Sequence, residues 1–211
     1  MKVSEPDLTF EQALWCAGVK TVAGIDEAGR GALAGPVVAA VVILPVKEDI
    51  PHLLAGVRDS KQMTPAQRNY WCEKIKRQAS AWGVGFTSAE EIDLLGIISA
   101  TRLAATRALT SLSQPPGHLL LDYLFLPECP LPQTSLVKGD QRSLSVAAAS
   151  VLAKTARDAF MVSLDRQIPG YGFACHKGYA TARHIMALER LGFSPVHRRT
   201  FHVHRGEHSG A

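Results

Sequence analysis

Apolar positions along the chain follow two patterns. Short, nearly unbroken runs rich in β-branched residues alternate with stretches in which apolar residues return every three or four positions. The first run, TVAGID from Thr21, reads as a strand, DEAGRGALAG as a glycine-rich turn, and PVVAAVVIL as a second strand paired to the first in a hairpin. Runs this continuously hydrophobic belong to strands covered on both faces, as in the centre of a layered α/β sheet. Thr64-Pro65-Ala66-Gln67 starts a helix expected to reach about Ala79, because threonine caps, proline suits the first helical position and glutamine returns the capping bond. Trp82 to Thr87 predicts a third strand, Ser88 with Glu91 a second capping box, and Ile97 to Leu112 a helix that Pro115-Pro116 ends. His118 to Phe125 reads as a buried strand, with a short strand near Leu136 after it. SLSVAAASVLAKTARDAFMVSL reads as a helix whose alanine face can press closely on a sheet. PGYGFACHKGYATARH is loop followed by a short helix, and the polar tail after Phe201 is expected to be poorly ordered.

Composition narrows this to one unit. With 211 residues, 46% hydrophobic and 20% charged, the chain can build a single well-filled core. The expected division is an N-terminal extension over 1–20, a globular domain over 21–201 and a flexible tail over 202–211. The apolar run from Ala32 to Pro45 is broken by Gly35 and Pro36 and is too short to cross a bilayer. No basic-then-apolar signal opens the chain, so a cytoplasmic protein with no membrane association is expected. Cys16, Cys72, Cys129 and Cys175 are scattered without a CxxC pair, which argues for reduced thiols and against a thiolate metal site. No extended apolar stripe calls for a partner subunit, so a monomer is expected. A net charge of +4 is only a weak pointer to nucleic acid.

Four acids carry candidate chemistry: Asp26 and Glu27 at the end of the first strand, Asp122 embedded in leucines, and Asp140 just before a helix. Each has an ordinary structural explanation, as turn residues, a protonated or paired core acid, and a helix cap respectively. Gathered together they would repel one another unless hard divalent cations neutralised them, and oxygen-only ligation favours Mg²⁺ or Mn²⁺ over zinc. Two such ions can drive in-line displacement at phosphorus, which makes phosphodiester cleavage the natural chemistry. Convergence of the four depends on strand order, which the pattern does not supply.

The blocks GIDEAGRGALAGPVVAAVVIL, RDSK, LLLD, KGD ahead of SVAAASVLAKTARD, HKGYAT and HRRTF resemble type 2 ribonuclease H, or ribonuclease HII, from about Val22 to Phe201 in the family's order and spacing. The resemblance implies an α/β, ribonuclease H-like fold: a five-stranded mixed sheet flanked by helices, its first three strands antiparallel. It implies that 21–201 is a catalytic domain using Mn²⁺ or Mg²⁺. Asp26, Glu27 and Asp122 match the family's main metal ligands, and Asp140 its fourth acid. The implied activity is hydrolysis of RNA in RNA–DNA hybrids, and cleavage 5′ of single ribonucleotides embedded in duplex DNA, leaving 3′-hydroxyl and 5′-phosphate ends. The backbone of Gly29-Arg30-Gly31 is implied at the ribose 2′-hydroxyl, and Tyr179 against the following deoxyribose. Tyr123 stands where the family usually has glycine, and Ala32 where it usually has proline.

Lys61 and Arg30 are candidate phosphate contacts, although a solvated Lys61 fits its sequence context equally. Lys154 and Arg157 share one predicted helix, and phosphate binding there is indistinguishable from a solvated face. His197, His202, His204 and His208 lie in or beside the tail without other ligands, which argues against a zinc site. The competing readings are another DNA nuclease of the same fold, such as a junction resolvase, and a catalytically inactive nucleic-acid-binding module. The GRG segment with Tyr179 argues against the first, and the full set of acids against the second.

Overall fold

A computed structural model describes residues 5–201; the tail, with His202, His204 and His208, lies outside the described residues. In chain order the elements are α1 (Thr9–Cys16), β1 (Val22–Ala28), β2 (Val37–Ile43), α2 (Ile50–Leu53), α3 (Pro65–Gln78), β3 (Ala81–Thr87), α4 (Ala89–Leu95), α5 (Ile97–Thr110), β4 (His118–Asp122), β5 (Gln133–Leu136), α6 (Leu144–Gln167), α7 (Phe173–His176) and α8 (Ala182–Leu191). Turns of 3-10 helix stand at Ser60–Gln62 and Gly139–Gln141.

The five strands form one mixed sheet in the order β3-β2-β1-β4-β5. The β1–β2 and β2–β3 pairs are antiparallel, whereas β1–β4 and β4–β5 are parallel. Every residue of β2 is buried, as its unbroken apolar run requires, because helices cover both faces. On one face α6 lays Ala147, Ala148, Ala149 and Ala153, all fully buried, against β1 and β2. Gly24 in β1 makes this approach possible, since a Cβ there would lie 2.2 Å from the Ser145 carbonyl carbon. On the other face Ala100, Ala104, Ala105 and Ala108 of α5 fill a second core with Ile25, Val37, Val41 and Leu119.

Local signals hold where they were strongest. Thr64 and Gln67 form the reciprocal capping box at the start of α3, and Ser88 with Glu91 does the same for α4. The β4 strand is shorter than its apolar run, stopping at Asp122 instead of Phe125. Tyr123 takes a left-handed φ of 45° there and turns the chain out of the sheet. Residues before β1 are integrated into the fold: α1 buries Trp15 and Glu11 against the α6 side of the core. No helix among the described residues is long and apolar enough to cross a membrane.

Candidate active site

Strand register brings the acids together. In the parallel β1–β4 pair Ile25 lies opposite Leu121, so the next residues, Asp26 and Asp122, emerge side by side at the carboxyl ends of their strands. Asp122 in turn pairs with Leu136 of β5, after which Lys138, at φ 55°, tips the chain into the turn carrying Asp140. The Gly139 N–H donates to Asp122 Oδ1 at 2.7 Å, fixing that carboxylate against the turn. One carboxylate oxygen from each of Asp26, Asp122 and Asp140 lies within 4.8 Å of the others. Glu27 stands outside this group of three: its Oε1 accepts from Arg30 Nη1 at 3.2 Å, while its Oε2 is buried without a hydrogen-bond partner.

Burial and mutual repulsion disfavour the charged forms. Asp26 is raised well above the ordinary carboxylate range by burial, then by Glu27 and Asp122. Asp140 is pushed up to about 6 by burial, then by Asp59 and Asp122. Burial also raises Glu27, against the opposing pull of Arg30. The Lys61 ammonium stands 3.9 Å from Asp140 Oδ2 on a side chain that is 77% exposed, too solvated to neutralise the cluster. Uncompensated oxygen ligands of this kind suit a hard divalent cation. The sequence reading missed Asp59, a buried acid within RDSK whose carboxylate accepts from the Lys61 N–H and whose charge bears on Asp140.

The glycine-rich turn begins three residues beyond Asp26. Gly29 has φ 92°, and a Cβ on it would lie 1.9 Å from Arg157 Nε, so both conformation and space require glycine. The carbonyls of this loop face two buried guanidinium groups. Arg198 donates to the carbonyls of Gly29 (2.7 Å), Arg30 (2.8 Å) and Gly35 (2.9 and 3.0 Å), and Arg157 to those of Pro36 (2.9 Å) and Ala34 (3.1 Å). Among the described residues, the N–H groups of Arg30 and Gly31 have no acceptor, leaving two donors for a bound molecule. Tyr179 joins the same assembly: the Arg157 guanidinium lies 5.2 Å from its ring centre and Lys154 Nζ 5.3 Å. The neighbouring Gly178 carbonyl accepts from the Leu33 and Ala34 N–H groups. Asp26, Glu27, Asp122, Asp140, Gly29, Arg30, Gly31, Lys61 and Tyr179 thus lie in one connected region, the glycine-rich turn being joined to Tyr179 through Arg157.

The ribonuclease HII family model matches residues 23–205. The chain is 56% identical to a ribonuclease HII of a Synechococcus species over 95% of its own length and 90% of the relative's. It is 54% identical to one from Roseiflexus castenholzii, again over 95% and 90% of the two chains. The chain belongs to the ribonuclease HII family. Its structure superposes on the ribonuclease H2 of Pyrococcus horikoshii with a TM-score of 0.71 at 29% identity, covering 86% of this chain and 93% of that one. Ribonuclease HII proteins are metal-dependent endoribonucleases that act on RNA–DNA hybrids, and the oxygen-lined cluster suits that chemistry.

Against the family pattern, Tyr123 keeps the left-handed backbone that glycine would adopt freely, at a cost of about 1 kcal/mol, and its side chain is exposed beside Asp122. Ala32 is fully buried within the turn. Packing decides two basic residues that the sequence left open. Arg157 is neither a solvated residue nor a phosphate contact, because it is fully buried beneath Gly29 and Tyr179. Lys154 is half-buried and paired with Asp158 at 2.8 Å. His197, which stands just before the tail, is buried, its ring 4.9 Å from that of Tyr171, and bridges to Ala34.

Sequence reasoning also missed how His176, His184 and His197 support Tyr179. His184 Nδ1 donates to the Tyr179 carbonyl at 3.0 Å, so its Nε2 accepts from His197 Nε2 at 3.1 Å. His197 Nδ1 then accepts from the Ser194 N–H and hydroxyl. His176 Nδ1 accepts from the Gly178 N–H, leaving its Nε2 to donate to the Tyr171 carbonyl. The network assigns every ring as neutral. Burial and then His184 push His197 down to about 4. The signal available in sequence was the pairing of HKGYATARH with HRRTF, two histidine-bearing blocks flanking an amphipathic helix.

Proposed function

We propose that this ribonuclease HII cuts the RNA strand of RNA–DNA hybrids and also cleaves 5′ of single ribonucleotides embedded in duplex DNA, leaving 3′-hydroxyl and 5′-phosphate ends. The observation that carries the proposal is the meeting of Asp26, Asp122 and Asp140 within 4.8 Å beside a turn whose Arg30 and Gly31 N–H groups find no acceptor among the described residues. Asp26, Asp122 and Asp140, with the buried unpartnered Oε2 of Glu27, would hold Mg²⁺ or Mn²⁺. The chemistry that a pair of such ions supplies is activation of a water and stabilisation of the leaving oxygen.

The protein's own groups account for substrate selection. Gly29, Arg30 and Gly31 bring their backbone close to the sugar, Gly29 by letting the turn close over Arg157 and Gly31 by leaving open space where a side chain would stand, and the 2′-hydroxyl is the feature they distinguish. Tyr179, its ring backed by Lys154 and Arg157, stacks on the deoxyribose after the junction and so checks that DNA follows the ribonucleotide. Lys61, exposed at the rim, contacts a phosphate near the cut. Three duplexes test the reading: one containing a single ribonucleotide, a continuous RNA–DNA hybrid and an all-DNA control. Cleavage of the first two alone, with 5′-phosphate products, is expected. Cleavage of the all-DNA duplex or of a four-way DNA junction would overturn it in favour of a DNA nuclease.

A further inference from the structure

Glu11, on the middle of α1, is fully buried although its sequence neighbours Gln12 and Ala13 are exposed. Its Oε1 accepts three hydrogen bonds from the first turn of α6: the Ser143 hydroxyl at 2.6 Å, the Ser145 hydroxyl at 2.6 Å and the Ser145 N–H at 2.9 Å. Its Oε2 is buried without a partner. A carboxylate with one orphaned oxygen is a poor choice if the position only needs filling, since an apolar side chain of similar size would pack there without that desolvation cost. What the carboxylate supplies is fixed geometry at the residues it holds.

Those residues connect directly to the acids. The Ser143 N–H donates to the Gly139 carbonyl at 2.9 Å, and the Gly139 N–H donates to Asp122 Oδ1 at 2.7 Å. Asp140 lies between, on the turn that this chain of bonds spans. The N-terminal segment grips the same stretch three times more, first through the Asp7 N–H, which donates to the Arg142 carbonyl at 3.4 Å. The Asp7 carbonyl accepts from the Leu144 N–H at 2.8 Å, and the Arg142 guanidinium lies 4.9 Å from the centre of the Phe10 ring. From the opposite side, the backbone at Gly24, two residues before Asp26, presses directly on Ser145. The first turn of α6 is therefore clamped between β1, which carries Asp26, and α1, which carries Glu11.

We infer that Glu11 is a positioning residue for the metal-binding acids, holding the Gly139–Ser145 segment so that Asp140 and Asp122 keep the separation a divalent ion requires. The inference rests on the reading of Asp26, Asp122 and Asp140 as metal ligands. It makes the segment before β1 part of the machinery although none of its described residues belongs to the cluster. Groups that orient metal ligands without touching the metal shift affinity by about 10–100-fold when removed.

Calorimetric titration of the full chain with Mn²⁺, beside a melting curve of each preparation, tests it. Glu11→Ala should bind Mn²⁺ about tenfold more weakly, and Glu11→Gln, whose amide oxygen can still accept from Ser143 and Ser145, should recover most of that loss. Ser145→Ala removes one of the three bonds and should lie between, so it decides the matter if Glu11→Ala does not fold. Ile92→Ala, a cavity in the α5-side core, should lower the melting temperature while binding Mn²⁺ as the unmodified chain does. Glu11→Ala and Ser145→Ala that melt early but keep normal Mn²⁺ affinity would reduce Glu11 to a packing role and overturn the inference. Asp122→Asn, run in parallel, separates the two levels: unchanged Mn²⁺ binding by that variant would overturn the ligand reading itself, and this inference with it.

Discussion

Asp26, Glu27, Asp122 and Asp140 cluster beside the Gly29–Gly31 turn as buried or half-buried acids with only Lys61 and Arg30, both partly solvated, for cationic company among the described residues, while Arg157 and Arg198 hold the same turn as buried cations with no described carboxylate in contact. The two groups of like charge meet burial differently. Arg198 directs four hydrogen bonds onto three carbonyls, so its charge is spread over backbone dipoles even though burial and Arg157 lower it to about 9. The acids have too few donors: Asp122 takes one from Gly139, Asp26 one from the Glu27 N–H, and Glu27 Oε2 none. Apart from the buried Arg157 Nη1, which has no partner among the described residues, the cationic charge is satisfied by the protein itself and builds a scaffold. Charge that it leaves unsatisfied at a cleft is available for something that binds.

The sharpest way to break this contrast is to neutralise one member of each group. Asp122→Asn should abolish cleavage of an RNA–DNA hybrid at saturating Mg²⁺ while the melting temperature without metal stays equal or rises, because one negative charge leaves a repulsive cluster. Turnover near that of the unmodified enzyme would remove Asp122 from the metal site. Arg198→Met has the opposite signature: it leaves the carbonyls of Gly29, Arg30 and Gly35 buried without a donor, costing about 3 kcal/mol or roughly 6–12 °C in melting temperature. A variant that melts normally would mean the turn keeps its shape without the guanidinium.

Tyr179 sits where scaffold and proposed substrate face meet, and its effect should be intermediate. Tyr179→Ala should lose about 1–3 kcal/mol of transition-state stabilisation on a single-ribonucleotide duplex, roughly one to two decades in rate, while Tyr179→Phe keeps most of it. If Ala lowers the melting temperature yet leaves the preference between single-ribonucleotide and hybrid substrates unchanged, the ring only fills space.

The smallest effect is on pH dependence, where the two groups have opposite signs. Asp140 at about 6 lies above its ordinary 3.8, so the folded state takes up a proton first and the cluster gains stability as pH falls from about 6 towards 4. His197 at about 4 lies below its ordinary 6.5, so the histidine network loses stability as pH falls through that interval. In the metal-free protein these slopes partly cancel. Asp140→Asn removes one of them and should lose stability more steeply between pH 6.5 and 4, read by urea unfolding at each pH; parallel curves would show that Asp140 does not titrate there.

Much of this protein is determined locally. The runs TVAGID and PVVAAVVIL, the capping boxes at Thr64 and Ser88, and the alanine face of α6 each encode an element through spacing and cap chemistry, and those elements form. The motifs around Asp26, Asp122 and Asp140 also marked their residues. What only the tertiary structure decided is which groups meet. The Ile25–Leu121 register that sets Asp26 beside Asp122 joins strands almost a hundred residues apart in sequence, and a parallel pairing leaves no turn signal to announce it. Nothing local in the sequence marks Arg157, Arg198, His197 and Glu11 as buried, because burial depends on what the rest of the chain stacks over them. Their partners are mostly backbone carbonyls and serine hydroxyls, groups present everywhere along the chain, and only packing selects which of them each side chain finds.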